Sequence, residues 1–188
     1  MYHQHAYPNT NYWLASSPQN PSHYPSQPLH PQMTYSTSQP ISMSYPMPDY
    51  RIQGEFQTLL ASIMNGIVGE AQAIDFYSRL IQMAPNERHR QAIQHALDDE
   101  KVHLELFSQL YTDLSGQQPQ YTFNPVQFQT YQEGLYKAYE GELEAYEEYR
   151  NVYLFTMDQR VRDVFLRAFT DEIEHAIRFS FLFFDQKL

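Results

Sequence analysis

Two short motifs in the sequence pair a carboxylate with an imidazole at the same spacing: Glu100-Lys-Val-His103 and Glu172-Ile-Glu-His175. Thirty residues upstream of each motif stands another glutamate, Glu70 before the first and Glu142 before the second. On an α-helix, residues three apart share a face one turn from each other, so each motif aims two metal-binding donors the same way. Four ionised carboxylates gathered in an apolar interior repel one another, and each loses hydration at a cost of several kcal/mol. Two divalent cations would leave such a cluster neutral. Carboxylate and imidazole donors suit iron or manganese, and a chain without cysteine has no thiolates for a structural zinc site. An allocation follows in which Glu70 and His103 are terminal on one ion, Glu142 and His175 are terminal on the other, and Glu100 and Glu172 bridge. Each ion keeps one or two open positions, where dioxygen or peroxide can bind.

Such a cluster needs several helices to carry it. From Arg51 onward apolar residues recur with helical periodicity in segments of roughly 52–83, 86–113, 125–155 and 159–186. Pro85 and Asn86 separate the first pair, Asn124-Pro125 predicts a cap and first-turn proline for the third, and Asp158 a cap for the fourth. Only the 114–124 connection is long, so the pattern predicts two antiparallel hairpins, a four-helix bundle with one longer connection in the middle.

The hairpins are also copies. Shifting residues 69–110 by 72 positions onto 141–182 gives thirteen identities in forty-two without a gap, among them Gly69/Gly141, Glu70/Glu142, Ala73/Ala145, Tyr77/Tyr149, Asp99/Asp171, Glu100/Glu172 and His103/His175. An apolar core would repeat its Leu and Ile positions; this chain repeats its polar ones, which implies a pseudo-two-fold axis through the donors. Glu70 and Glu100 each lie fifteen residues from Pro85, and Glu142 and Glu172 fifteen from Met157, so the four share one height in the bundle. Each glutamate also falls on the apolar stripe of its helix, as in Ile63, Ile67, Glu70, Ile74, Tyr77 and Ile81. Asp75, Glu105, Glu144, Glu147 and Glu174 fall on the opposite, solvated side.

Other polar residues are placed relative to that layer. Asp99 and Asp171 are positioned to accept the Nδ1–H of a ligand histidine on a facing helix. Tyr146, one turn from Glu142, is expected near the metals, whereas Tyr77 and Tyr149, two turns from their glutamates, read chiefly as core packing. His89 shares the ligand face but lies three turns away, and His95 points outward, so neither belongs to the expected centre.

The first fifty residues differ in kind. They hold nine of the twelve prolines, seven of the sixteen tyrosines and four of the eight histidines, with no Lys or Arg and a single acid, Asp49. Prolines every few residues block helix and central strand, and too few aliphatics remain to offset ordering entropy, so residues 1–50 read as a disordered Pro/Tyr/Gln/Ser-rich tail. Its composition suits either a solubilising leader or a segment that binds an assembly partner; His3 and His5 would hold metal only weakly. Residues 51–188 carry all twelve basic side chains against 21 acids, a net charge of −9, which argues against nucleic-acid binding. The absence of cysteine excludes a disulfide scaffold, a thiol nucleophile and a Cys-ligated iron–sulfur cluster. No run approaches the about 18 apolar residues of a membrane span, and the N-terminus lacks the pattern of a secretion signal.

On Glu70, Glu100-Lys-Val-His103, Glu142 and Glu172-Ile-Glu-His175, residues 52–186 resemble the ferritin-like di-metal carboxylate proteins, and within them the rubrerythrin-like branch. The resemblance implies an all-α ferritin-like four-helix bundle over residues 51–188 with a crossover between helices two and three. That crossover is short here, so flanking helix ends are expected to unwind to span the bundle. It further implies a di-iron oxidoreductase that reacts dioxygen or hydrogen peroxide, as ferroxidase or peroxidase, with all six donors as metal and catalytic residues. Two departures bear on the reaction. A complete rubrerythrin carries a rubredoxin-like Cys₄ iron domain, and this chain has no cysteine; the extra glutamate that erythrin domains place after the third-helix ligand is Ala145. Manganese catalases have a similar ligand set, so a dimanganese enzyme is the alternative. A structural or coat-type protein with a stabilising metal site is a third reading. The expected setting is the cytoplasm, or a coat or other assembly joined through the tail, and a homodimer is compatible with the family.

Overall fold

Capping residues set where the helices begin. In the computed structural model, which describes residues 53–185, four helices run over Gln53–Leu80 (α1), Glu87–Ser115 (α2), Tyr131–Phe155 (α3) and Gln159–Asp185 (α4). The Asn86 side chain accepts from the His89 amide at 3.0 Å to open α2, and Thr130 accepts from the Glu133 amide at 3.1 Å to open α3. Glu133 reaches back to the Gln129 amide at 2.9 Å, close to a capping box. Asp158 caps α4 by accepting from the Arg160 amide at 3.0 Å. Gly116, at φ 72°, closes α2 in the left-handed conformation that glycine adopts without steric cost.

α1 packs on α2 and α3 on α4 as antiparallel hairpins, while α1 also contacts α3 and α2 contacts α4. The repeat extends to the turns: Arg90 donates to the Ile81 carbonyl at 3.2 Å, and its counterpart Arg162 donates to the Tyr153 carbonyl at 3.0 Å. Two apolar clusters fill the interior. One contains Phe76, Leu80, Ile93, Leu135, Phe179 and Leu182, the other Leu59, Ile63, Ile67, Phe107, Val161 and Phe165. On every helix the motif glutamate lies in sequence between the residues of one cluster and those of the other, so the donors form a polar layer between two apolar ones.

The third helix begins six residues later than its proline suggests. Asn124-Pro125 does not open α3; it lies in an extended crossover that occupies residues 116–130. The reason is reach. α3 starts beside the end of α1, so the crossover must travel most of a helix of about 40 Å, and fifteen extended residues cover about 50 Å. Gln72 and Arg79 hold it against α1 by donating to the carbonyls of Asn124 (2.7 Å) and Val126 (2.9 Å). Phe128, expected on the third helix, instead packs its ring 4.7 Å from that of Phe76. Gly134 lets α3 approach α1, since a Cβ there would stand 2.4 Å from Leu80 Cδ1. The expected tail, residues 1–50, lies outside the described residues. Among the described residues no helix is long and apolar enough to cross a membrane.

Candidate metal centre

Each helix delivers its carboxylate from the buried stripe, and α2 and α4 add a histidine one turn further on. Glu70, Glu100, His103, Glu142, Glu172 and His175 are all 3% exposed or less. Their donor atoms form two groups that share Glu100 and Glu172. Glu70, Glu100, His103 and Glu172 make one, and Glu100, Glu142, Glu172 and His175 the other, with the donors of each lying within 4.8 Å of one another.

The shared pair is disposed symmetrically. Glu100 places Oε2 3.0 Å from His103 Nδ1 and Oε1 3.2 Å from His175 Nδ1. Glu172 places Oε1 3.3 Å from His103 Nδ1 and Oε2 3.3 Å from His175 Nδ1. Each of these two carboxylates thus presents one oxygen to each half of the cluster. Glu70 and Glu142 approach only one histidine each, His103 at 4.0 Å and His175 at 3.6 Å.

The outer contacts obey the same pseudo-two-fold. Asp171 Oδ2 lies 3.1 Å from His103 Nε2, and Asp99 Oδ2 lies 3.2 Å from His175 Nε2. The aspartates do face the histidines across the α2/α4 seam, but through Nε2 rather than the expected Nδ1. Three residues from its glutamate on the same helix, each imidazole turns Nδ1 inward to the carboxylates and leaves Nε2 to project toward the neighbouring helix. With Nε2 engaged by the aspartate, Nδ1 is the nitrogen left to ligate a metal once its proton is displaced.

The tyrosines correct the sequence reading. Tyr77 donates to Glu142 at 2.5 Å and Tyr149 donates to Glu70 at 2.6 Å. They are not simply core packing: α1 and α3 run antiparallel in contact, and each tyrosine side chain reaches across to the glutamate of the other helix. Their identity within the repeat was the available signal. Tyr146 is the converse case, since it is not brought to the cluster. Its ring packs edge-on to Phe169 at 6.0 Å and beneath the Arg150 guanidinium at 5.1 Å. His89, at the far end of the bundle, is fully buried between Tyr131 Oη (2.8 Å) and Asp185 (3.0 Å).

Electrostatically the layer asks for cations. Burial, then the charges of neighbouring glutamates, raises Glu70 and Glu142 well above the usual carboxylate range. Burial also opposes charge on Glu100 and on the histidines, but their mutual attraction wins. Glu100 is held at about 2 and His103 is pushed up to about 11, with His175 raised as well. Protons therefore supply the positive charge in the metal-free cluster. Glu100 Oε1 and Glu172 Oε1 nevertheless make no aligned hydrogen bond and meet His175 and His103 Nδ1 only at ion-pair range, 3.2 and 3.3 Å. Six oxygen and nitrogen donors in two overlapping sets, with two buried carboxylate oxygens that lack an aligned hydrogen bond among them, fit a pair of divalent ions.

A cleft of about 240 Å³ between α1 and α3 leads to this layer. Its walls include the repeat-related small residues Gly69 and Gly141, Ala73 and Ala145, and all four core glutamates line it. Small side chains at these positions leave the carboxylates within reach of a small molecule from that side.

Comparison with known proteins agrees with this architecture. The uncharacterized protein YhjR of Bacillus subtilis is 31% identical over 141 residues, which cover 73% of this chain and 92% of that protein. A two-domain protein of Anabaena variabilis containing DJ-1/ThiJ/PfpI-like and ferritin-like domains superposes with a TM-score of 0.60 at 13% identity. That match covers 70% of this chain and 37% of the Anabaena chain, and the likeness is one of fold. Residues 61–183 match the family described as Rubrerythrin, a span that takes in part or all of each of the four helices and every donor of the polar layer, so the chain belongs to the rubrerythrin family.

Proposed function

We propose that the protein is a di-iron carboxylate oxidoreductase whose substrate is dioxygen or hydrogen peroxide, acting as a ferroxidase or a peroxidase. Glu70 and His103 would be terminal on one iron, Glu142 and His175 on the other, with Glu100 and Glu172 bridging. The observation that carries the reading is the disposition of Glu100 and Glu172, each with one oxygen toward either histidine. Bound iron would supply the electrons for reduction of the substrate. The chain's own residues orient and insulate the centre. Tyr77 and Tyr149 hold the terminal carboxylates by donating from hydroxyls whose oxygens lie 2.5–2.6 Å from them. Asp99 and Asp171 hold the Nε2 protons of the histidines. The apolar clusters above and below exclude water, and the α1/α3 cleft admits molecules of peroxide size.

Metal analysis of untagged protein, together with peroxide consumption by the iron-loaded form, tests this reading. Two irons per chain are expected, lost in Glu100→Ala and His103→Ala and retained in Glu144→Ala and Glu147→Ala, whose side chains are exposed. Equal iron in all four variants would refute the site. Two manganese ions with dismutation of peroxide would replace the di-iron reading with a catalase-like one.

A further inference from the structure

The 72-residue repeat holds for the buried faces of α2 and α4 and fails for their outer ones. Leu166, Thr170, Ile173, Ile177, Phe181 and Phe184 recur at three- and four-residue steps, apart from the gap at 180, and form one stripe on the side of α4 turned away from buried Phe165, Glu172 and Phe179. Their counterparts on α2 are Gln94, Asp98, Lys101, Glu105, Gln109 and Thr112, every one of them polar. The same place in the fold is thus solvated on one half of the repeat and apolar on the other. Leu166 is 41% exposed, Ile177 51%, Phe181 64% and Phe184 61%. Phe184 also shares an apolar groove with Tyr136 of α3, itself 52% exposed. At about 200 Å² for a large apolar side chain, these fractions leave about 500 Å² of apolar surface on one side of the bundle.

We infer that this stripe is a homodimer interface, in which α4 packs antiparallel on α4 of a second copy about a two-fold axis at the height of His175. A two-fold interface must be self-complementary, so that residue i meets j while j meets i. The stripe meets that condition in one register. Leu166 falls opposite Phe184, Ile173 opposite Ile177, and Thr170 opposite Ser180 on the stripe's edge, so large side chains face large ones and small face small. Thr170 and Ser180 bring no unmet donor into the contact, because their hydroxyls already donate to the Leu166 and Ile177 carbonyls at 2.9 and 2.7 Å. Charge points to the same occupant. Residues 51–188 carry a net charge of −9, so two copies repel unless they meet on a face close to neutral. With four basic and five acidic side chains α4 is the helix nearest neutrality, whereas α3 has two and six. The stripe itself holds no charge, and Glu174 and Arg178, which flank its centre, pair with each other. Two copies of the patch bring about 1,000 Å² of apolar surface together, the size at which a specific interface begins, before any polar rim is added.

The interface is independent of what the buried donors bind. Its test weighs full-length protein, as purified, by sedimentation equilibrium beside Ile177→Glu, which writes into α4 the residue type that α2 carries at Glu105. Wild type should have twice the 22.3 kDa chain mass. Ile177→Glu should dimerise about 100-fold or more weaker, because the two-fold places the new charge in the interface twice, while helix content by circular dichroism and bound metal stay unchanged. The register is read with Thr170→Cys/Ser180→Cys, in a chain that has no cysteine of its own. About 15 Å apart along one helix, the two thiols cannot join within a chain, so oxidation should give a covalent dimer that Thr170→Cys alone does not give. A monomeric wild type, the result expected if residues 1–50 of the same chain cover the stripe, would overturn the inference. So would a folded Ile177→Glu that stays dimeric, a failure of the paired cysteines to cross-link, or cross-linking by Thr170→Cys alone.

Discussion

Loading the buried donor layer with metal should expel protons, and the groups that release them can be counted. In the metal-free protein Glu70 and Glu142 are raised well above the usual carboxylate range, His103 stands at about 11, and His175 is raised too. All four must be deprotonated to bind a metal, whereas Glu100, held at about 2, already is. Binding two ions at pH 7 should therefore release at least the two histidine protons, with Glu70 and Glu142 adding to them. Each released proton weakens binding about tenfold for every pH unit lowered, so two give about 10², or roughly 2.7 kcal/mol per unit. Anaerobic calorimetry with Fe²⁺ in buffers of different ionisation enthalpy measures the number directly. Release of none or one would refute the assignment of these side chains as ligands. The same shifts fix a sign for stability. Groups raised on folding contribute stability that is complete below their unfolded values, about 4.3 for Glu and 6.5 for His, and is lost as pH rises through the folded ones. Glu100 acts oppositely, but only below about pH 4.5. The apoprotein should thus weaken from about pH 5 upward while the metal-bound form gains, since a ligand at a hundredfold excess over Kd adds about 2.7 kcal/mol. Chelation should lower the melting temperature strongly near neutrality and much less near pH 5.

Three further predictions concern single side chains. Tyr77→Phe removes the hydroxyl that donates to Glu142 and should weaken metal binding about 10–100-fold, read by competition with a chelator; unchanged affinity would mean the tyrosine only fills space. Gly141→Leu should slow peroxide consumption several-fold with iron content unchanged, because a Cβ at Gly141 meets nothing within 4 Å and the longer side chain can fold over the cleft; an unaltered rate would place substrate access elsewhere. Gly134→Ala should destabilise the fold by about 1–3 kcal/mol in denaturant melts, because its Cβ would collide with buried Leu80 and press on Phe128 by more than the gain in helix propensity offsets.

The bundle and its polar layer were legible from spacing because both are governed by short-range rules. A helix turns about 100° per residue, so Glu70, Glu100, Glu142 and Glu172 could be assigned to buried stripes before any packing was known. Equal distances from the two turns set their common height, and the 72-residue repeat supplied the symmetry. What depended on how the hairpins dock was not legible. Pro125 has the local signature of a helix start, yet the need to span the bundle keeps residues 116–130 extended and gives the cap to Thr130. Tyr77 and Tyr149 look like core residues along their own helices and become partners of Glu142 and Glu70 only because α1 and α3 run antiparallel in contact. Tyr146, adjacent to Glu142 in the sequence pattern, turns instead toward Phe169. Which histidine nitrogen faces the glutamates was likewise decided by the α2/α4 seam, where Asp99 and Asp171 capture Nε2 and leave Nδ1 to the interior. Periodicity determines which face of a helix a residue occupies; only the packing of two helices determines which residue on the neighbouring face it meets.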